Sequence, residues 1–217
     1  MKRKGIILTS AFIFALSISL HAQTDSMSQS EEGWRKYEVS VNGGLSLPSG
    51  ALKTWNDSLG AKTGLNFGAN GGYFFNDKIC LGGYFTYTQF PMKLYKLHYK
   101  LYSVGAYAKY AFTGHTHFEP YIKIRAGADF AKLATWIGPN AARLRELSYG
   151  AGLNLAAYIG SLYYTSDFGG IFLEAGYNFA RLKNNSVENG GVKYKLQDNI
   201  NYIDVKAGIN VFFGPEQ

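Results

Sequence analysis

The two-residue alternation of apolar and polar side chains is the feature that most constrains how this chain can fold. Successive side chains of a β-strand point to opposite faces, so such a run predicts a strand with one apolar and one polar face. In the first run, Tyr37, Val39 and Val41 alternate with Glu38 and Ser40. Eight such runs follow one another, at residues 36–47, 63–75, 78–89, 99–112, 118–131, 147–158, 170–181 and 201–213.

The first 22 residues have the pattern of a cleavable signal peptide. Basic residues at positions 2–4 precede an apolar stretch over 6–20, and Ala22 supplies a small residue before the cleavage point. We therefore expect a signal peptide at 1–22, a disordered polar lead at 23–33 and one barrel domain at 34–217. Export removes three basic residues, which lowers the formal net charge from +7 to +4.

The connectors between the runs alternate in length. Short connectors are predicted at 76–77 and 113–117. Longer connectors are predicted at 48–62, 90–98, 132–146 and 182–198, and the connector at 160–169 is expected to be long as well, which breaks the alternation. Short turns at one end and long loops at the other are typical of outer-membrane barrels.

A membrane environment limits the possible folds further. After the signal peptide, no stretch is apolar for the length of a membrane-spanning helix. Lipid offers no hydrogen-bond partners to the backbone, so only helices and closed barrels cross a bilayer. Each run has 12–14 residues, which is enough for the roughly 9–11 that a tilted membrane strand requires. The predicted fold is therefore all-β, an eight-stranded antiparallel up-and-down transmembrane β-barrel.

The polar face distinguishes this barrel from a soluble one, which would turn its apolar face inward. That face is rich in Gly, Asn and Ser and carries four acids and four bases, whereas the apolar face carries almost no charge. Buried charges must be paired, and eight strands enclose only enough room for side chains. We interpret the polar face as a filled lumen, although charges on a soluble surface would also give this pattern. The predicted lumen ion-pair network is Glu38, Lys109, Lys123, Arg125, Asp129, Glu174, Asp204 and Lys206.

Three short segments resemble a known family. They are residues 119–123 (EPYIK), 148–152 (SYGAG) and 172–177 (FLEAGY). With the strand pattern, they resemble the bacterial eight-stranded outer-membrane β-barrels, both the OmpA/OmpX-like porin-family barrels and the PorT-like barrels of Bacteroidota. The last run resembles the C-terminal signal read by the barrel-insertion machinery, except that residues 214–217 follow its final aromatic residue. The resemblance implies an outer-membrane location in a Gram-negative bacterium and carries no shared catalytic set.

The long connectors and their flanks are strongly basic. They carry eleven basic residues, including Arg181, against the acids Asp57, Glu146, Glu188 and Asp198. Lysine and arginine attract phosphates, so these loops are expected to contact lipopolysaccharide or an acidic surface partner, the alternative being an ordinary solvated surface. The expected contact residues are Lys53, Lys62, Lys93, Lys96, Lys132, Arg143, Arg145, Lys183, Lys193 and Lys195.

Candidate chemistry is sparse. His115 and His117 form a metal-compatible pair, but a turn explains them better. His98 with Ser46, Ser49 or Ser103 would be needed for a lipid hydrolase, and no local motif supports it. We therefore predict no catalytic residues, no cofactor, no metal and no nucleic-acid partner. The predicted function is a structural or surface-interaction barrel with lipid, lipopolysaccharide or an envelope protein as partner. The alternatives are a narrow channel for small solutes or an accessory barrel of a secretion or gliding apparatus.

Overall fold

The computed structural model describes residues 35–54, 60–93, 98–112, 117–137, 143–182, 186–189, 192–195 and 199–214. The predicted signal peptide and polar lead lie outside these residues. Side-chain positions are not described for residues 133–150 or for the segments at 186–189 and 192–195.

Eight long strands form a closed barrel, and two short strands form a separate hairpin. The barrel strands are β1 (Tyr37–Ser49), β2 (Gly64–Phe74), β3 (Ile79–Pro91), β4 (His98–Ala111), β5 (Phe118–Ile137), β6 (Arg143–Ser166), β7 (Gly169–Leu182) and β10 (Asn199–Phe213). The hairpin strands are β8 (Ser186–Asn189) and β9 (Val192–Lys195). Each barrel strand pairs antiparallel with its neighbours in the chain, and β1 closes the sheet by pairing with β10. The predicted eight-stranded up-and-down barrel is confirmed.

The alternation determines which face lies inside. In β1, Val39 and Val41 are exposed on the outer wall, whereas Glu38, Ser40 and Asn42 are buried in the lumen. All eight barrel strands share this arrangement, so the outer wall is apolar and the centre of the lumen is polar. A folded protein in water has the opposite distribution, because burial of apolar surface drives its folding.

The two ends of the barrel differ in their connections. At one end, called the turn end, lie the short turns and both ends of the barrel sheet, near Arg35 and Gly214. The opposite end, called the loop end, holds the β1–β2, β3–β4, β5–β6 and β7–β10 connections. There a short helix, α1 (Ala51–Thr54), follows β1, and a single bridge joins Ala61 to Met92. None of the described helices is long and apolar enough to span a membrane.

Two predicted connectors were wrong in length. The 160–169 connector is almost entirely strand, and only Asp167 and Phe168 turn between β6 and β7. The 132–146 connector is largely strand too, because β5 continues to Ile137 and β6 begins at Arg143. Strand β4 pairs with β5 only as far as Ala134, and β7 pairs with β6 only from Gly152. The far parts of β5 and β6 therefore continue as a two-stranded ribbon beyond the barrel at the loop end.

Candidate functional site

The centre of the lumen holds buried ion pairs. All eight predicted network residues lie inside the barrel, each with at most 5% of its surface exposed. Lys109 pairs with Glu38, and Lys123 pairs with Glu174. Arg125 lies 3.7 Å from the same Glu174 carboxylate, and Lys206 lies 3.0 Å from Asp204. Three carboxylates thus serve four cations.

Asp129 is the exception, because it forms no ion pair within the described part of the chain. Its Oδ2 instead accepts a hydrogen bond of 2.9 Å from the amide of Asn154. The Tyr84 hydroxyl donates to Oδ1 of Asn154 over 3.1 Å. The four acids and four bases of the predicted network all lie in the lumen, but the described partner of Asp129 is a neutral amide rather than a cation.

Neutral polar groups complete the environment of the charged ones. Glu38 accepts hydrogen bonds from the Tyr107 hydroxyl over 2.6 Å and from the Asn210 amide over 3.1 Å. Asp204 accepts from the Tyr158 hydroxyl and from the Asn178 amide, each over 3.0 Å. Hydrogen bonds to both carboxylates offset the cost of removing them from water.

Tyrosine rings line the same lumen, and the cations contact the faces of these rings. The Arg125 guanidinium lies 4.7 Å from the ring centroids of both Tyr84 and Tyr158, and its Nη2 donates to Asn70 over 2.8 Å. Lys206 lies 4.6 Å from the Tyr158 centroid. Cations are attracted to ring faces, more strongly where water is excluded. These tyrosines were not among the predicted network residues, although their strand positions have the same parity as the buried charges.

Lumen-facing glycines make room for these rings. A methyl group at Gly160 would lie 2.6 Å from Cζ of Tyr121, and one at Gly82 would lie 2.6 Å from Cε1 of Tyr107. Real carbon atoms do not approach so closely, so any larger residue would displace the ring. Glycine at these lumen positions is therefore coupled to the tyrosine rings that pack against it.

A second charged pair closes the turn end. Arg35, just before β1, places Nη1 2.7 Å from the buried Glu119 carboxylate, and Nη2 donates to the backbone oxygen of Asp77 over 2.9 Å. Arg35 also donates to the Tyr164 hydroxyl. Its guanidinium lies 4.1 Å from the ring centroid of Phe74 and 5.1 Å from that of Phe212. Sequence reasoning missed this pair because Arg35 precedes the first alternating run and Glu119 was left out of the charge count.

An apolar cluster closes the loop end. The α1 residue Leu52 and the bridge residues Ala61 and Met92 are buried there over the ring of Phe90, which meets Tyr202 at 5.4 Å between centroids. Tyr99, Leu101, Ala131, Ala180, Leu182 and Ile200 complete the cluster. Both ends of the lumen are thus filled by the protein's own side chains.

A small cavity lies in the lumen between the two closures. It has a volume of about 20 Å³ and lies beside Glu38, Lys109 and Lys123. A site needs roughly 10–15 Å³ of this kind of volume to hold one water, so the cavity takes one or two. Among the described residues, no group of three His, Cys, Asp or Glu side chains could hold a metal ion. The lumen geometry suits rigid support of the barrel better than passage of solutes.

The predicted loop contacts are only partly described. Lys53, Lys62 and Lys93 are exposed at the loop end, where Lys93 Nζ reaches the backbone oxygen of Lys53 over 3.4 Å. Lys132 is half-buried on the outer wall, 5.9 Å from the Tyr102 ring centroid. The predicted Lys96 and Lys183 lie outside the described residues, and the side chains of Arg143, Arg145, Lys193 and Lys195 are not described.

The serines of the hydrolase alternative have other partners or no histidine contact. The Ser46 hydroxyl donates to Asp204 and accepts from the Asn66 amide over 2.8 Å. Ser103 is buried and is the register partner of Asp129. His98 begins β4 and is half-buried at the loop end. No hydrogen bond between His98 and any of these serines occurs among the described residues.

Comparison with known proteins identifies the fold of this chain but not its family. No protein-family model matches the chain, and no curated protein matches its sequence. The crystal structure of Neisserial surface protein A matches with a TM-score of 0.56 and 22% identity, over 84% of this chain and 100% of that one. The solid-state NMR structure of outer membrane protein AlkL in lipid bilayers matches with a TM-score of 0.54 and 12% identity, over 90% of this chain and 98% of that one. At these identities, the likeness shows the fold alone.

Proposed function

We propose that this protein is an integral outer-membrane β-barrel of a Gram-negative bacterium, with a closed lumen, no catalytic role and a surface-interaction function at its basic loop end. One observation carries this proposal. Leu173 is 58% exposed on the outer wall, and the next residue, Glu174, is 1% exposed in the lumen. An apolar wall around a charged interior is favourable in lipid and unfavourable in water.

The finer assignments belong to the same proposal. We infer an OmpA/OmpX-like or PorT-like barrel from a member of the Bacteroidota, exported by a signal peptide at 1–22 and inserted by the barrel-insertion machinery. The short turns then face the periplasm and the loop end faces outward, as in other outer-membrane barrels. The alternation of the last strand, from Asn199 to Phe213, supports recognition by that machinery.

Membrane fractionation followed by gel migration tests the location. The unheated protein should stay with the outer membrane and migrate differently from the heated one, because the barrel remains folded in the gel. Planar-bilayer recording tests the closed lumen, and no stepwise conductance is expected. Recovery of the protein in the soluble fraction would overturn the location, whereas steady single-channel currents would favour the narrow-channel alternative.

The loop end supports contact with lipopolysaccharide phosphates. Lys53, Lys62 and Lys93 are exposed together there, and exposed charges act over about 8 Å at physiological ionic strength. The triple variant K53Q/K62Q/K93Q should bind lipopolysaccharide vesicles more weakly and with a smaller salt dependence than the wild-type protein. The matched control, K36Q/K78Q, removes lysines at the turn end and should bind as the wild type does. Salt-independent binding by the wild type would contradict this proposal.

The ribbon of β5 and β6 favours a second candidate, an accessory barrel in a secretion or gliding apparatus. Residues 143–151 of β6 have a described strand partner on one side only, in β5. An open strand edge can pair with an extended segment of another protein. Co-purification from detergent extracts should then recover a stable envelope partner, and the partner should be lost when the ribbon is shortened by matched deletions in both strands.

A further inference from the structure

Two buried lysines lie directly opposite each other inside the barrel, toward the turn end. Lys109 of β4 is the register partner of Lys123 of β5, and both side chains are in the lumen. Directly opposed residues on one face have Cβ atoms about 4.5–5.5 Å apart, and like charges at such positions destabilise a strand pair. Their carboxylate partners come from two other strands, Glu38 from β1 and Glu174 from β7. An anion beside both ammonium groups would offset their repulsion.

The ion pairs around these lysines leave one positive charge in excess. Three carboxylates face four cations there, namely Glu38, Glu174 and Asp204 against Lys109, Lys123, Arg125 and Lys206. The remaining acid of the network, Asp129, is six residues along β5 from Lys123, which is roughly 20 Å at about 3.3 Å per residue. A buried charge without a counterion is costly, so one negative charge near the lysines would stabilise the barrel.

The lumen cavity offers a position for that charge. Both lysines line this cavity of about 20 Å³, and so does Ser40. Each ammonium group has three protons and donates one to its carboxylate, so further protons remain for another acceptor. The Ser40 hydroxyl accepts from the Asn70 amide over 2.7 Å, and its own proton can donate. The volume suits one or two waters, so an anion of one atom fits and a polyatomic anion does not.

One carboxylate, Glu38, also lines the cavity, but its charge is already matched. Its Oε2 accepts from Lys109 and from the Asn210 amide over 3.1 Å. Its Oε1 accepts from the Tyr107 hydroxyl over 2.6 Å. The charge that lacks a counterpart at this level of the lumen is therefore positive.

We propose that the lumen cavity binds one halide ion, with chloride as the natural ligand, held by the ammonium groups of Lys109 and Lys123 and by the Ser40 hydroxyl. The ion completes the charge of the buried network and is released when the barrel unfolds. Because both ends of the lumen are closed, the ion enters while the barrel folds. The site lies inside the barrel and depends neither on the loop contacts nor on the location of the protein.

Urea unfolding in neutral-detergent micelles, followed by gel migration, tests the ion. The protein is refolded at each chloride concentration, and methanesulfonate, a polyatomic anion, keeps the ionic strength constant. Loss of one bound ion on unfolding should lower the unfolding equilibrium constant by roughly tenfold for each tenfold rise in chloride above its dissociation constant. Bromide should act as chloride does. Equal stability in chloride and methanesulfonate would overturn the proposal and would indicate that one lysine is uncharged.

Asn70→Asp supplies the missing negative charge from the protein itself. Arg125 Nη2 donates to Oδ1 of Asn70 over 2.8 Å, and a carboxylate keeps that bond. N70D should remain folded, and its stability should no longer change with chloride, because four carboxylates then serve the four cations. A folded N70D protein that depends on chloride as the wild type does would contradict the site.

Ser40→Ala removes the neutral donor without changing the charge. A hydrogen bond to a charged group is among the stronger ones, so S40A should need at least about tenfold more chloride for the same stabilisation. The matched control is Ser103→Ala, which changes another buried lumen serine that does not line the cavity. S103A should keep the chloride dependence of the wild type. Equal chloride dependence in S40A and S103A would overturn the role of Ser40 in the site.

Crystals of the wild-type protein refolded in bromide locate the ion directly. An anomalous peak beside Lys109 and Lys123 is expected, and this result decides the proposal even if N70D fails to fold. A water in the same place would instead donate to Oδ1 of Asn210, which lines the cavity and has no hydrogen-bond partner among the described residues. Water alone in the cavity, or bromide peaks only on the surface as adventitious ions, would overturn the halide site.

Discussion

The outer wall and the lumen are built from alternate residues of the same strands, yet the two faces differ in which residue types they accept. Outward positions need only be apolar, as the variety of Val39, Phe67 and Leu173 indicates. Inward positions are chosen for their partners, because each buried charge or ring has a specific neighbour. Neighbouring residues therefore differ in how much change they tolerate, and substitutions in adjacent pairs measure that difference.

Glu174 and Leu173 should give the largest contrast. Glu174→Gln leaves Lys123 and Arg125 buried without their shared carboxylate, and removal of one partner from a buried pair costs about 3–5 kcal/mol. Leu173→Met keeps the volume of an outward residue and should cost less than about 1.5 kcal/mol. Urea unfolding in micelles, followed by gel migration, measures both. Equal losses of the free energy of unfolding would mean that the lumen charges are not coupled.

Arg35 and Lys36 are adjacent cations whose side chains lie on opposite sides of the barrel wall. Arg35→Met removes charge-assisted hydrogen bonds to Glu119 and Tyr164, which should lower the free energy of unfolding by about 1.5–3 kcal/mol. Lys36→Met removes only a half-buried contact with the Tyr73 ring on the outer wall, so a change below about 1 kcal/mol is expected. The same unfolding assay applies. A larger effect at Lys36 would contradict the turn-end closure by Arg35.

Gly72 and Gly71 test the space beneath the lumen rings. A methyl group at Gly72 would lie 2.6 Å from Sγ of Cys80 and would also meet the Tyr107 hydroxyl, so Gly72→Ala should cost about 1–3 kcal/mol. At Gly71 the nearest atom, the backbone oxygen of Glu38, is 4.0 Å from such a methyl. Gly71→Ala should be neutral or stabilising by about 0.5–1 kcal/mol. Unchanged stability in both variants would show that the Tyr107 ring can shift freely.

The double variant E38M/K109M should have the smallest effect. It tests whether the lumen requires charged residues or only requires that each charge is paired. Replacing a whole buried pair with apolar residues of similar volume is often neutral, so a change within about 1 kcal/mol is expected. Glu38→Met alone leaves Lys109 unpaired and should cost about 3–5 kcal/mol. Comparing the two unfolding midpoints separates the need for pairing from a need for charge. A double variant as unstable as the single one would show that Tyr107 and Asn210 also require the carboxylate.

The number of strands, their pairing order and the set of alternate residues that face the lumen could be predicted, because each follows from a local alternation. The length of β6 could not, because the alternation rule changes near the turn end. There the inward residues are Leu162 and Tyr164, which pack in an aromatic layer with Phe212. A search for polar inward positions stops at Tyr158 for that reason. The ribbon beyond Ala134 was missed because the apolar alternation is required only where a strand faces lipid, and the ribbon extends past that part of the barrel.

The charge partners could not be predicted because they depend on positions across the lumen rather than along the chain. Counting charges placed Asp129 in an ion-pair network without naming partners, and the described partner of its carboxylate is Asn154. The contact between Arg35, just before β1, and Glu119 of β5 joins residues 84 positions apart. Only the closed register brings such residues together, so a pattern within one strand carries no information about them.

The turn-end contacts of Arg35 have a consequence for the order of assembly. Its partners come from the β2–β3 turn, from β5 and from β6, and Phe212 of the last strand covers its guanidinium. Strand β1 likewise pairs Tyr37 with Phe213, at the far end of the sequence. The full set of these contacts is complete only when the last strand has arrived. Arg35 therefore acts late, and it should prolong the lifetime of the finished barrel without changing how quickly the first hairpins form.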